Sequence, residues 1–170
     1  MSLPNYFASL ARYHVWATQK LLESNLKTLA EADWRRDCGL FFRSVHGTVN
    51  HLLVTDDIWY SRFAEGHSPR VPLNTEMHAD RAALCEALAQ AVTRWSPWLA
   101  TLAPERYDGE MAYIRNNGEE VRIPFAPALG HVFNHATHHR GQLTAALTGM
   151  VQPGPELDWV YLLQQEARSQ

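Results

Sequence analysis

Apolar residues recur every three or four positions along most of the chain, which is the spacing of amphipathic helices. The spacing predicts a first helix over residues 5–28 and a second over about residues 42–64, ended by a glycine cap at Gly66. Residues 84–102 repeat leucines and tryptophans at the same spacing, and Pro97 predicts a kink or break near Ser96. The second helix is apolar on two neighbouring faces, so we expect it to be packed on both.

The period changes within residues 110–123, where two β-rich runs flank Asn-Asn-Gly. Asn-Gly between such runs is typical of a tight hairpin. Pro124 then begins a fourth helix that runs to Gly149, and residues 156–163 predict a short final helix. The expected fold is all-α, with four long helices and one short β-hairpin before the last long helix.

The composition bounds the class of protein. A chain of 170 residues, 46% hydrophobic and 19% charged, suits one well-packed domain, so we expect a single domain over residues 1–170. A net charge of -3 argues against a nucleic-acid partner, which needs a concentrated positive surface. No apolar run reaches the ~18 residues that cross a bilayer. We therefore expect no membrane partner and a cytoplasmic location. Cys38 and Cys85 lack CxxC spacing and are expected to be buried free thiols.

The fourth helix holds the candidate chemistry, because residues 131–142 contain four of the nine histidines. Residues four apart share a helix face, so His135 and His139 could close on one metal ion. Ala136 stands where a zincin has its glutamate base, which argues against a metalloprotease. Gln142, one turn beyond His139, could support that ring by a hydrogen bond.

Other assignments of the metal ligands on this helix stay open. His131 lies on the same ladder and could replace a ligand one turn away, whereas His138 points about 100° aside and is expected to face solvent or to pack. A histidine-rich helix that binds no metal is the plainer alternative.

A third ligand must come from elsewhere, and His51 on an inward face of the second helix is the best candidate. A buried imidazole needs a partner for each ring nitrogen, and a metal with a hydrogen bond supplies both. The alternative is a core histidine bonded to a backbone carbonyl. His46 is the reserve ligand, and His14 is expected to be structural. If Asp57 joined instead, a two-histidine, one-carboxylate iron site would result.

A histidine midway along the second helix, the hairpin and His-x-x-x-His-Arg-Gly-Gln at residues 135–142 together resemble the DinB-like family, of the DinB/YfiT superfamily. The resemblance covers essentially the whole chain. It implies an up-down-down-up four-helix bundle and places the metal ligands on His51, His135 and His139. It also implies a divalent metal, zinc or nickel first and iron or manganese next, and a homodimer.

The resemblance and the donor set together suggest a function. Three neutral imidazoles leave an open position on a metal, where the pKa of a bound water or thiol is lowered. The superfamily includes thiol-dependent S-transferases and isomerases. We therefore expect a metal-dependent enzyme that activates a small-molecule nucleophile, such as a low-molecular-weight thiol. The alternative is a non-catalytic metal-binding module for stress response or interaction.

Overall fold

Helices make up most of residues 1–169, the part of the chain that this computed structural model describes. The helices are α1 (Leu3–Leu21), α2 (Glu31–Arg35), α3 (Val45–Tyr60), α4 (Arg81–Ala91), α5 (Trp95–Leu99), α6 (Phe125–Gly149) and α7 (Trp159–Arg168). Strands β1 (Glu110–Ile114) and β2 (Glu120–Pro124) pair as an antiparallel hairpin. Short π-helical turns extend α1 to Leu26 and α3 to Glu65. The expectation of a mainly helical fold with one hairpin is confirmed.

The long helices enclose an apolar interior that is divided into separate clusters. Helix α1 packs against α6 and α5, while α3 packs against α4 and α6. Helix α6 buries the apolar stripe that its sequence predicts, namely Leu129, Phe133, Ala136, Leu143 and Leu147. Fully burying one such large side chain stabilises the fold by about 1.5–3 kcal/mol. This burial fixes the rotation of α6, and therefore the direction in which its histidines point.

The third predicted helix is interrupted, but at an earlier position than expected. Helix α4 ends at Ala91, a 3-10 turn occupies Val92–Arg94, and α5 begins at Trp95. Proline has no N–H, and its ring clashes with the carbonyl four residues before it. The distortion caused by Pro97 therefore lies in the turn that precedes the proline, rather than at Ser96.

Two other helix boundaries also differ from the prediction. Helix α3 begins at Val45 because Ser44 caps it, its hydroxyl accepting a hydrogen bond from the Gly47 N–H at 3.0 Å. The segment before α3, where the sequence pattern predicted no helix, contains α2, whose Trp34 is fully buried. Helix α7 lies later than the predicted range 156–163, because residues 152–158, which include the Pro-Gly-Pro sequence, form no regular secondary structure.

The hairpin forms in the register that its turn requires. Met111 lies opposite Ile123, and Gly118 in the turn has a φ of 89°, a left-handed conformation that glycine adopts without strain. The Phe125 N–H donates to the Gly109 carbonyl at 2.8 Å, which ties the ribbon to the start of α6. The hairpin is thus held beside the histidine-bearing helix.

Two sequence expectations concern membrane-spanning segments and thiols. No helix of residues 1–169 is both long and apolar enough to pass through a bilayer. Cys85 is a buried free thiol as expected, whereas Cys38 is only partly buried. The difference arises because Cys38 lies in the exposed connection between α2 and α3.

Candidate metal centre

Three histidines from two helices meet between α3 and α6. His135 and His139 lie one turn apart on α6, and His51 faces them from the middle of α3. One ligand nitrogen from each of the three lies within 4.8 Å of the others. The Nε2 atom of His135 is 3.5 Å from that of His51 and 3.1 Å from that of His139. The structure therefore brings together the three residues that the sequence proposes as ligands.

Hydrogen bonds on the far side of two rings determine which nitrogen carries the proton. His51 Nδ1 lies 2.8 Å from the Leu73 carbonyl oxygen, and His139 Nδ1 lies 2.8 Å from Gln142 Oε1. Each oxygen accepts a hydrogen bond, so each Nδ1 must be the donor and each Nε2 keeps its lone pair. The bond from His139 to Gln142 is the supporting contact that the sequence predicts.

This proton arrangement leaves the centre short of donors. The lone pairs on Nε2 of His51 and His139 both face Nε2 of His135, which can donate at most one proton to one of them. At least one nitrogen lone pair is then left without a partner among residues 1–169. A divalent cation would satisfy all three nitrogens together, so the residues present fit a metal ion.

The electrostatics of the cluster keep its imidazoles neutral. Burial, offset in part by the bond to Leu73, lowers the pKa of His51 to about 4. Burial and then the neighbouring histidines lower the pKa of His135 to about 3, and burial also lowers the pKa of His139. Metal binding needs unprotonated imidazole. The site is therefore ready for a cation at neutral pH without first releasing protons.

An aromatic side chain forms one wall of the cluster. The Phe42 ring stacks on His51 with 3.7 Å between ring centroids, and it also contacts His139. The backbone of Phe42 can approach α3 because Gly47 has no side chain. A Cβ at Gly47 would lie only 2.2 Å from the Phe42 carbonyl oxygen. The sequence pattern predicted Phe42 at the start of the second helix. In the structure Phe42 lies in the loop before Ser44, and this position brings its ring against His51.

The reserve ligands lie outside the cluster. His46 Nε2 lies 3.0 Å from Glu76 Oε1 and also contacts Asn50. His131 packs its ring against Trp59, and His138 is exposed. The register drawn from the sequence is therefore the one in which the nitrogens converge.

Asp57, the carboxylate considered for the site, does not belong to it, and neither does the adjacent Asp56. Asp56 accepts hydrogen bonds at 3.0 Å from Trp95 Nε1 and lies 3.0 Å from His14 Nε2, while Asp57 pairs with Arg94. Within residues 1–169 no carboxylate joins the three histidines. The two-histidine, one-carboxylate iron site is therefore not supported by the geometry.

A buried polar network crosses the interior next to the histidines. His14 bridges Asp56 on α3 and the guanidinium of Arg140 on α6, which lies 3.0 Å from its Nδ1. Burial lowers the pKa of His14. Burial acts to raise the pKa of Asp56, but the hydrogen bond from His14 and the charges nearby hold that pKa below its usual value. His14 lies in this network and outside the histidine cluster, and the network braces α6 one residue beyond His139.

Comparison with known protein families assigns the chain to one of them. The model of the DinB family matches residues 1–168 of the chain. The chain belongs to the DinB family. Protein DinB of Bacillus subtilis (strain 168) is 24% identical to it over 149 residues, which cover 85% of this chain and 86% of that protein. No solved structure matches the chain significantly.

A cavity opens beside the histidine cluster of this DinB-family protein. Its volume is about 530 Å³, and His51 and His135 form part of its lining together with Trp59, Arg62 and Tyr113. A larger cavity of about 610 Å³ lies between α1, α6 and the start of α7, but none of the cluster histidines lines it. Of these two cavities, the smaller one gives a molecule access to His51 and His135.

Proposed function

We propose that this DinB-family protein is a metal-dependent enzyme. In this proposal a divalent ion is bound by His51, His135 and His139, and it activates a small-molecule nucleophile for transfer to an electrophile. A low-molecular-weight thiol is the preferred nucleophile, so the reaction would be of the S-transferase or isomerase type. The observation that carries the proposal is the convergence of nitrogen lone pairs beside an open cavity.

When bound, a divalent cation held by neutral imidazoles lowers the pKa of a thiol or water that coordinates it. The chain supplies the rest. The Leu73 carbonyl and Gln142 hold two of the rings with Nε2 turned inward, and Phe42 closes one side of the cluster against solvent. Three nitrogen donors suit zinc or nickel better than iron or manganese.

The proposal includes the architecture and assembly that the family resemblance implies. We propose one domain, built as an up-down-down-up four-helix bundle, that acts in the cytoplasm as a homodimer without a nucleic-acid partner. The contacts of α1 with α6 and of α3 with α4 support the bundle. The net charge of -3 supports the lack of a nucleic-acid partner.

Metal analysis of protein purified without a histidine tag tests the ligand set. The parent should contain near-stoichiometric divalent metal, and His51→Ala, His135→Ala and His139→Ala should each lose most of it. His138→Ala is the matched control, because this exposed neighbour lies on the same helix and outside the cluster. Metal retained by the His135→Ala protein would refute the assignment.

Cobalt substitution separates an enzyme from a non-catalytic metal-binding module. An open coordination position should change the visible spectrum of the cobalt protein when a small thiol is added, whereas a closed site should leave it unchanged. A panel of thiols with electrophilic acceptors then tests turnover. Metal binding with no thiol response would favour the non-catalytic alternative.

A further inference from the structure

The end of the 530 Å³ cavity away from the histidine cluster has cationic and aromatic side chains. Arg62 follows α3 in the π-helical turn Ser61–Glu65. Its guanidinium carbon lies 4.8 Å from the ring centre of Trp59 and 4.3 Å from that of Tyr113. These cation–π contacts hold the guanidinium in place, and they provide no oxygen acceptor for its N–H groups.

Arg62 has little hydrogen bonding within the protein. Among residues 1–169 it forms no ion pair, and its one hydrogen bond is long, 3.4 Å from Nη2 to the Ile114 carbonyl oxygen. Its Nε is buried without an acceptor. A half-buried cation with unmet donors is costly unless an anion or water completes it.

A second arginine increases the positive charge at this end. Arg115 also lines the cavity, and its charge acts with burial to lower the pKa of Arg62. Arg115 is itself paired with Glu119, at 3.0 Å, on the exposed side of the hairpin. Among the described residues that line the cavity, none is acidic. An anion in the cavity would therefore relieve the repulsion between the two guanidinium groups.

A row of rings connects this cationic end to the histidine cluster. The ring centroids of Trp59 and His131 are 5.3 Å apart, and those of His131 and His135 are 5.5 Å apart. A ligand that spans the cavity would thus meet guanidinium groups at one end, flat rings along its length and imidazole nitrogens at the other end.

We propose that the cavity binds a small carboxylic acid whose carboxylate is held by Arg62, with Arg115 adding charge nearby. Its apolar or aromatic body lies along Trp59 and Tyr113, and its other end points toward His135. A guanidinium and a carboxylate match as two parallel hydrogen bonds, which gives orientation as well as affinity. A role for the end of the ligand that points toward His135 rests on the proposed function, whereas the binding of the carboxylate by Arg62 does not.

The test compares 3-phenylpropionate with its neutral amide, 3-phenylpropionamide, by ligand-observed NMR and calorimetry on the full chain. Titrations are made with chelator present and again with added zinc. The acid should bind about tenfold more tightly than the amide in both cases, because a charge-assisted hydrogen bond replaces a neutral one. The preference should weaken as salt is added.

Variants show which arginine causes the acid to bind more tightly than the amide. Arg62→Gln should abolish it, Arg62→Lys should keep only part of it because lysine lacks the planar fork, and Arg115→Gln should reduce it less. Arg122→Gln is the matched control, since this exposed arginine lies on the same hairpin, is paired with Glu120 and does not line the cavity. Circular dichroism checks that each variant is folded. If Arg62→Gln does not fold, the comparison rests on Arg62→Lys and Arg115→Gln.

The outcomes are distinct. An acid preference that survives Arg62→Gln, or that needs zinc, would mean that the carboxylate binds elsewhere or binds the ion, and would overturn the inference. Equal binding of acid and amide would also overturn it. If the parent protein binds no metal but still prefers the acid in the presence of chelator, the proposed function is refuted and the carboxylate site is not.

Discussion

Replacing His135 by glutamine is expected to make the metal-free protein less sensitive to acid. Burial and the neighbouring histidines lower the pKa of His135 to about 3 in the folded protein, against about 6.5 for an unperturbed histidine. Below pH 6.5 the unfolded chain takes up a proton that the folded protein does not accept. The free energy of unfolding therefore falls as the pH drops from about 6.5 toward 3 and is unaffected above that range.

The size of the effect follows from the same two pKa values. Between pH 7 and pH 5, one such histidine lowers the free energy of unfolding by about 2 kcal/mol. His51, with a pKa of about 4, acts in the same direction. The two contributions do not simply add, because each protonation makes the other harder.

Urea unfolding at pH 7 and pH 5, in the presence of chelator, measures the difference. The parent protein should lose about 2 kcal/mol more than His135→Gln over this interval. His67→Gln, a change at an exposed histidine outside the cluster, serves as the control and should follow the parent. Equal losses in the parent and His135→Gln would refute the view that burial keeps this imidazole neutral.

Two further predictions concern the supports of the site, and urea unfolding measures both. Asp56→Asn should lower the free energy of unfolding by about 3–5 kcal/mol, because buried donors lose their charged partner. Asp57→Asn, at a half-exposed ion pair, should cost about 1 kcal/mol or less; similar costs at both positions would contradict the argument. Gly47→Ala should destabilise the protein by about 1–3 kcal/mol and weaken metal binding, because the added Cβ would collide with a carbonyl oxygen. Gly141→Ala, with open space around it, is the control and should stabilise the protein by about 0.5–1 kcal/mol. A Gly47→Ala protein as stable as the parent would rule out the close approach of the Phe42 backbone to α3.

Local sequence determined those features that depend on neighbours along the chain. The spacing of His135 and His139 places both rings on one face of α6, and Gln142 lies one turn further on the same helix, within reach of His139. The Asn-Gly turn likewise fixed the hairpin. Each of these follows from helix or turn geometry over a few residues, so the pattern alone was sufficient.

Tertiary structure alone decided what joins those local pieces. A rotation of α3 by one residue, about 100°, would turn His51 away from α6, and only packing of both helices fixes that angle. Packing also supplies the Leu73 carbonyl that sets the tautomer of His51, the Phe42 wall and the placement of Arg62 against the rings of Trp59 and Tyr113. These contacts join residues far apart in the chain. Periodicity could show that His51 faces inward, but the neighbours it meets there depend on how the buried surfaces of separate elements fit together.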